Sequence, residues 1–138
     1  MIKFYFFILS LITTTSLIGQ QIDNGSMENW ENLGTASEEP ENWNSFMTAT
    51  GGLAFFGSQQ VEQSSDVPFS SSGMYSVRVF SKSILGIVAN GNLTLGQINM
   101  GSSTPSSPDN YNFTNTGDPS FSQVLNSMPD SIVFWVQF

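Results

Sequence analysis

Beyond a short apolar leader, glycine, serine, asparagine and proline break this chain so often that helix formation has no foothold. No window there sets apolar residues three or four apart among good helix formers. Short alternating runs take their place. Gly73 to Phe80 puts Tyr75, Val77 and Val79 on one face and Ser76, Arg78 and Phe80 on the other. Gly51 to Gly57 is a glycine-bounded apolar run, read as a further strand. Ile84 to Val88 is apolar, Asn90-Gly91 supplies residues that tolerate positive φ in a tight turn, and Leu93, Leu95 and Gln97 form the return strand. Between Gly101 and Ser120 lies a long polar loop holding Tyr111 and Phe113, and Glu38-Glu39-Pro40-Glu41 makes an earlier acidic loop. Short strands parted by turn signals predict an all-β fold, an antiparallel β-sandwich.

The final segment sharpens that expectation. Ser131 to Phe138 is the most strand-like stretch present, with Ile132, Phe134 and Val136 alternating against Val133, Trp135 and Gln137. Both faces read as buried, as in a central strand. Domains rarely stop inside such a strand, so the sandwich is expected to be incomplete at its C-terminus. The bland alternative is a complete domain whose last strand is central.

The leader predicts export. Lys3 precedes the apolar run Phe4 to Ile12, which is too short for the ~20 residues of a membrane span but fits a signal-peptide core. Small and polar residues follow, and cleavage after Gly19 divides the chain into a signal peptide, 1–19, and one domain, 20–138. Cleavage after Ser16 and an uncleaved anchor are the alternatives. The expected destination is secretion or the cell surface, with no membrane span once the leader is removed.

Charge excludes some partners. The chain carries 3 basic and 11 acidic residues for a net charge of −8. Loss of Lys3 leaves Arg78 and Lys82 as the only cations, too few for the basic patch that nucleic acid or an anionic bilayer demands. With 0 cysteines no disulfide can staple the fold, so stability must come from a core.

Catalysis has little to work with. Histidine and cysteine are both absent, removing the commonest general base, the thiol nucleophile and the usual zinc ligands. A glycosidase needs only two carboxylates about 5–10 Å apart. Glu28, Glu38, Glu39, Glu41, Glu62, Asp66 and Asp118 are candidates, but all sit in turn-rich polar stretches where solvated carboxylates are the rule. No catalytic residue is assigned. Aromatic rings offer more, because Trp and Tyr stack on the apolar faces of sugars while amide side chains bond the hydroxyls. Trp30 is expected to pack the first strand, and Tyr75 and Trp135 read as core. Trp43 and Tyr111, on expected loops, remain as ligand-binding candidates.

Several motifs carry a resemblance. Asn24-Gly25-Ser26-Met27-Glu28-Asn29-Trp30 is similar to the "NGDFENW" start of secreted Bacteroidota proteins, and Pro40-Glu41-Asn42-Trp43 to the "P-x-x-W" that follows it. Ser72 to Val79 resembles the "SGxxAxRL" strand of carbohydrate-binding-like jelly rolls. Ile87 to Gly96 resembles the "GxxxPGxLxxG" hairpin of the PCMD carbohydrate-metabolism domain. Gly117-Asp118-Pro119-Ser120-Phe121 and Pro129 to Phe138 resemble that domain's "GxPF" and "RPxxLxFWYKY". The chain departs from the pattern at Ser26, Met27, Met128 and Gln137-Phe138.

The resemblance implies a jelly-roll-like β-sandwich binding a glycan or cell-surface polymer without catalysis. Relatives continue into further strands and often end in a type IX secretion sorting domain. The alternative is an accessory region of a larger exported adhesin or glycoside hydrolase, with no ligand of its own. Jelly rolls with this kind of start often hold a structural calcium, which places Glu28 as its ligand; no other cofactor is implied.

Overall fold

The computed structural model describes residues 22–69, 71–126, 128–129 and 131–138; the expected signal peptide, 1–19, lies outside the described residues. The fold is all-β. Its strands are β1 (Trp30–Glu31), β2 (Glu39–Pro40), β3 (Val61–Ser64), β4 (Ser76–Val79), β5 (Lys82–Ile84), β6 (Ile87–Ala89), β7 (Gln97–Met100) and β8 (Asn110–Phe113). Single 3-10 turns at Phe46–Thr48, Ala54–Phe56 and Pro119–Phe121 are the only helical elements among the described residues, and no helix there is long and apolar enough to cross a membrane.

The strands pair antiparallel with their neighbours in the chain, as β1-β2, β3-β4, β5-β6 and β7-β8. Among the described residues the pairing makes four two-stranded sheets. Their seams are a few hydrogen bonds. Asn44 and Thr94 exchange backbone bonds of 2.7 and 2.9 Å, and Thr50 pairs parallel to β7 through Ile98 and Met100. The Gln60 side chain donates to the Ala89 carbonyl at 2.6 Å, joining the entry to β3 with the end of β6.

The core is small and partly polar. Among the described residues, Val61 and Ile98 are buried at 1 % and 3 % exposure beside the fully buried Pro40 ring, and Glu38, Glu39, Asn44, Ser45 and Gln60 are buried with them. Buried polar groups must be hydrogen-bonded to be tolerated. The two glutamates meet that demand by receiving backbone N–H groups. Glu38 takes those of Gly34 at 2.8 Å and Gln63 at 3.1 Å, and Glu39 takes that of Ser45 at 2.7 Å.

Three expectations are corrected. The hairpin turns at Leu85-Gly86, not at Asn90-Gly91: Ile84 pairs with Ile87, and φ is 52° and 81° at the two central residues. Positive φ at both is the pattern of a type I′ turn, the twist that suits a two-residue hairpin. Gly86 adopts it freely, whereas Leu85 accepts it under strain. Gly51 to Gly57 forms a 3-10 turn instead of a strand, because positive φ at Gly51 breaks the extension and local bonds such as Phe56 N–H to Leu53 (2.9 Å) take over. Tyr111 and Phe113 lie on β8 and not on a loop, their alternation with Asn110 and Asn112 matching β7 residue for residue.

Ser131 to Phe138 is not a strand either. Trp135, expected in the core, is 78 % exposed, and Tyr75 is half-buried. Residues Trp135 to Phe138 instead share with Ser76 to Val79 of β4 the walls of an open hollow of about 480 Å³. Strand propensity measures fit to a pleated surface, and without a ladder an extended segment does not become a strand.

Candidate functional site

A second hollow, of about 330 Å³, opens between the β5-β6 hairpin, β7-β8 and the two 3-10 turns at Phe46–Thr48 and Ala54–Phe56. The turns bring Phe46 and Phe56, and β6 brings Ile87 and Val88. Ile98, buried on β7, also lines it, as does Tyr111. Tyr111 is 52 % exposed and packs tilted against Phe113, with ring centroids 5.7 Å apart. The ring thus has one aromatic neighbour to steady it and about half of the residue open to solvent, as an aromatic stacking platform needs.

The polar lining of this groove is mainly asparagine. Asn92 and Asn112 face each other across 20 positions of chain and exchange amide hydrogen bonds, 2.8 Å in one direction and 3.0 Å in the other. Asn110 accepts from the Ser102 N–H at 3.0 Å and donates to the Thr104 carbonyl at 2.9 Å, and Asn99 donates to the Asp109 carbonyl at 2.7 Å. These contacts hold the Gly101 to Asp109 turn against β7-β8, so the rim is positioned by its own carboxamides. Among the described residues no charged side chain lines the groove.

Of the residues singled out by sequence, only Tyr111 lies there. Trp43 is half-buried elsewhere: its indole N–H donates to the Asp23 carbonyl at 3.1 Å and its backbone N–H to Pro40 at 2.9 Å. It ties the N-terminal segment to the loop after β2. Glu28 is likewise engaged, one carboxylate oxygen receiving the N–H groups of Met74 at 3.0 Å and Tyr75 at 3.2 Å. This bond spans 46 positions of chain and anchors the entry to β4, a structural post for the one carboxylate that a motif had marked for calcium. Among the described residues no group of three or more His, Cys, Asp or Glu could hold a metal ion.

The other carboxylates are dispersed. Glu62 pairs with Arg78 across β3-β4, and Asp118 caps the last 3-10 turn through the Ser120 N–H at 2.9 Å. Glu39 is displaced from the ordinary carboxylate range. Burial pushes its acid upward, the bonds from Ser45 and Thr48 oppose this, and Glu31, its register partner on β1, adds a smaller like-charge push.

That direction has a stability consequence. A folded-state value above the unfolded one means that the native state binds the proton more tightly. The contribution of Glu39 is therefore fullest below the ordinary glutamate range and is lost as pH rises through the folded value. Glu39→Gln keeps an oxygen to receive the Ser45 N–H but cannot ionise. It is expected to match the parent near pH 4, exceed it in stability at pH 7–8 and flatten the slope between. Urea unfolding across that pH range reads the outcome, and an unchanged slope contradicts it.

Sequence reasoning missed Leu85, Ile87, Val88 and the Asn92-Asn112 pair. The apolar run Ile84 to Val88 was visible but read as one strand of a hairpin turning at Asn90-Gly91. The amide pair depends on a long-range register that no local pattern announces. Comparison of the chain with family models, with curated proteins and with solved structures gives no match.

Proposed function

We propose that this chain is an exported, non-catalytic binding module with a jelly-roll-like β-sandwich design, and that the groove beside Tyr111 receives a glycan or cell-surface polymer. One observation carries the reading. An exposed tyrosine, braced by Phe113, stands over a groove whose walls are apolar and whose rim is carboxamide. Sugar rings present the matching surface, with apolar C–H faces for stacking and hydroxyls for amide groups. The candidate carboxylates lie away from that groove, so binding is favoured over glycoside cleavage.

Trp43 takes the role of a tie in this reading, because its indole N–H is spent on Asp23. Tyr111→Ala is therefore the decisive change. It is expected to weaken glycan binding by at least about tenfold, the equivalent of roughly 1.4 kcal/mol, on a glycan array followed by titration calorimetry. Circular dichroism should show the fold kept, since Tyr111 is half in solvent. Equal binding by parent and variant moves the site elsewhere. Absence of binding to any glycan, with the chain found joined to a larger exported protein, favours an accessory structural region.

A further inference from the structure

Resting on the glycan reading above, we propose that the groove selects neutral glycans and rejects acidic ones. Its walls are Phe46, Phe56, Ile87, Val88 and Ile98, and its polar side chains are uncharged carboxamides and serine hydroxyls. A uronate or sulfate held there would surrender hydration for no opposite charge, which is costly unless the group is paired. A neutral sugar surrenders only hydroxyl hydration, which amides restore.

The surrounding field acts in the same direction. The chain carries a net charge of −8, and its cations beyond the leader are Arg78 and Lys82. Arg78 is committed to Glu62 and lines the other hollow, beside β4. Lys82 sits at the base of β5, opposite Ala89, and does not line the groove. The closest acidic neighbour in sequence to the rim is Asp109, next to Asn110, whose carboxylate receives the Ser107 hydroxyl at 3.2 Å. A polyanion approaching this face meets net repulsion over roughly a Debye length, ~8–10 Å at ordinary ionic strength.

The selectivity also has a shape component. Val88 and Leu85 on the hairpin are exposed at 58 % and 79 % and line the groove together with Tyr111, adding an exposed apolar edge to it. A flat sugar with equatorial hydroxyls offers its C–H face to such a surface and its edges to the amides. A carboxylate on C5, at the ring edge like the hydroxyls, would meet carboxamides and no cation.

The test uses the whole chain against two sets of soluble probes, at low and high salt. The neutral set is cellohexaose, xylohexaose and mannohexaose; the acidic set is oligogalacturonate and oligoalginate. At least one neutral probe is expected to bind, independently of salt, and at least tenfold more tightly than either acidic one. Tyr111→Ala abolishes that binding, and Lys82→Gln leaves it unchanged. Equal or tighter binding of an acidic probe, weakened by salt and by Lys82→Gln, overturns the selectivity while leaving glycan binding standing. Binding of neither set overturns the glycan reading itself, and this proposal with it.

Discussion

Ile98→Ala is expected to remove about 2–5 kcal/mol of stability. The side chain is 3 % exposed and shares a small buried core with Val61 and Pro40. Few neighbours can close over the space it leaves, because the groove lies on one side and the Thr50 seam on the other. For a domain holding roughly 5–15 kcal/mol in total, that loss is a large share of the whole. Urea unfolding should show a lower midpoint with an unchanged slope, and Ile98→Val should lose only about 0.5–1.5 kcal/mol. A change below ~1 kcal/mol for the alanine would place the stabilising core elsewhere. The same substitution deepens the groove, so affinity for any ligand seated there is expected to fall with it.

Gly51→Ala should be nearly as damaging, for a different reason. Gly51 has φ of +101°, where L-residues are strained by about 1–3 kcal/mol. A Cβ there would lie 2.7 Å from the Met100 carbonyl oxygen and 2.9 Å from the Asn99 side-chain oxygen. The first of these is backbone at the end of β7, which cannot swing aside without breaking the Thr50 seam, and overpacking of this kind adds about 1–3 kcal/mol. Its neighbour supplies the control. Gly52 has open space where a Cβ would stand and no positive φ, so Gly52→Ala is expected to be neutral or slightly stabilising through the unfolded chain. Thermal melts of the two variants should diverge clearly; coincident melting temperatures would refute the account.

Local chemistry explains which parts of this architecture could be read in advance. Ser76 to Val79 alternates in a two-residue period bounded by turn formers, and it is β4. Turn residues throughout excluded long helices, and among the described residues the chain is all-β with single 3-10 turns. What failed depended on partners. Asn110 to Phe113 looks like polar loop until β7 aligns with it and gives Tyr111 a strand to stand on. Ser131 to Phe138 has the strongest strand composition, yet composition cannot supply a ladder. The site was legible only through Tyr111, since tyrosine amid polar residues is a visible anomaly. The Asn92-Asn112 pair and the aromatic turns become a groove only after long-range packing. Glu28 was marked by its motif, but its two N–H partners lie far along the chain.

Leu85 shows a conflict between two demands on one position. The first central residue of a hairpin turn with positive φ is best filled by asparagine, aspartate or glycine. A leucine there, with φ of 52° and 79 % exposed, satisfies neither backbone preference nor burial. Replacing it with asparagine would relax the turn and strip the hairpin of its apolar tip in the same step. If the groove binds the glycan proposed for it, stability and ligand reach are traded against each other at a single codon, and selection for a sturdier fold alone would erase the feature.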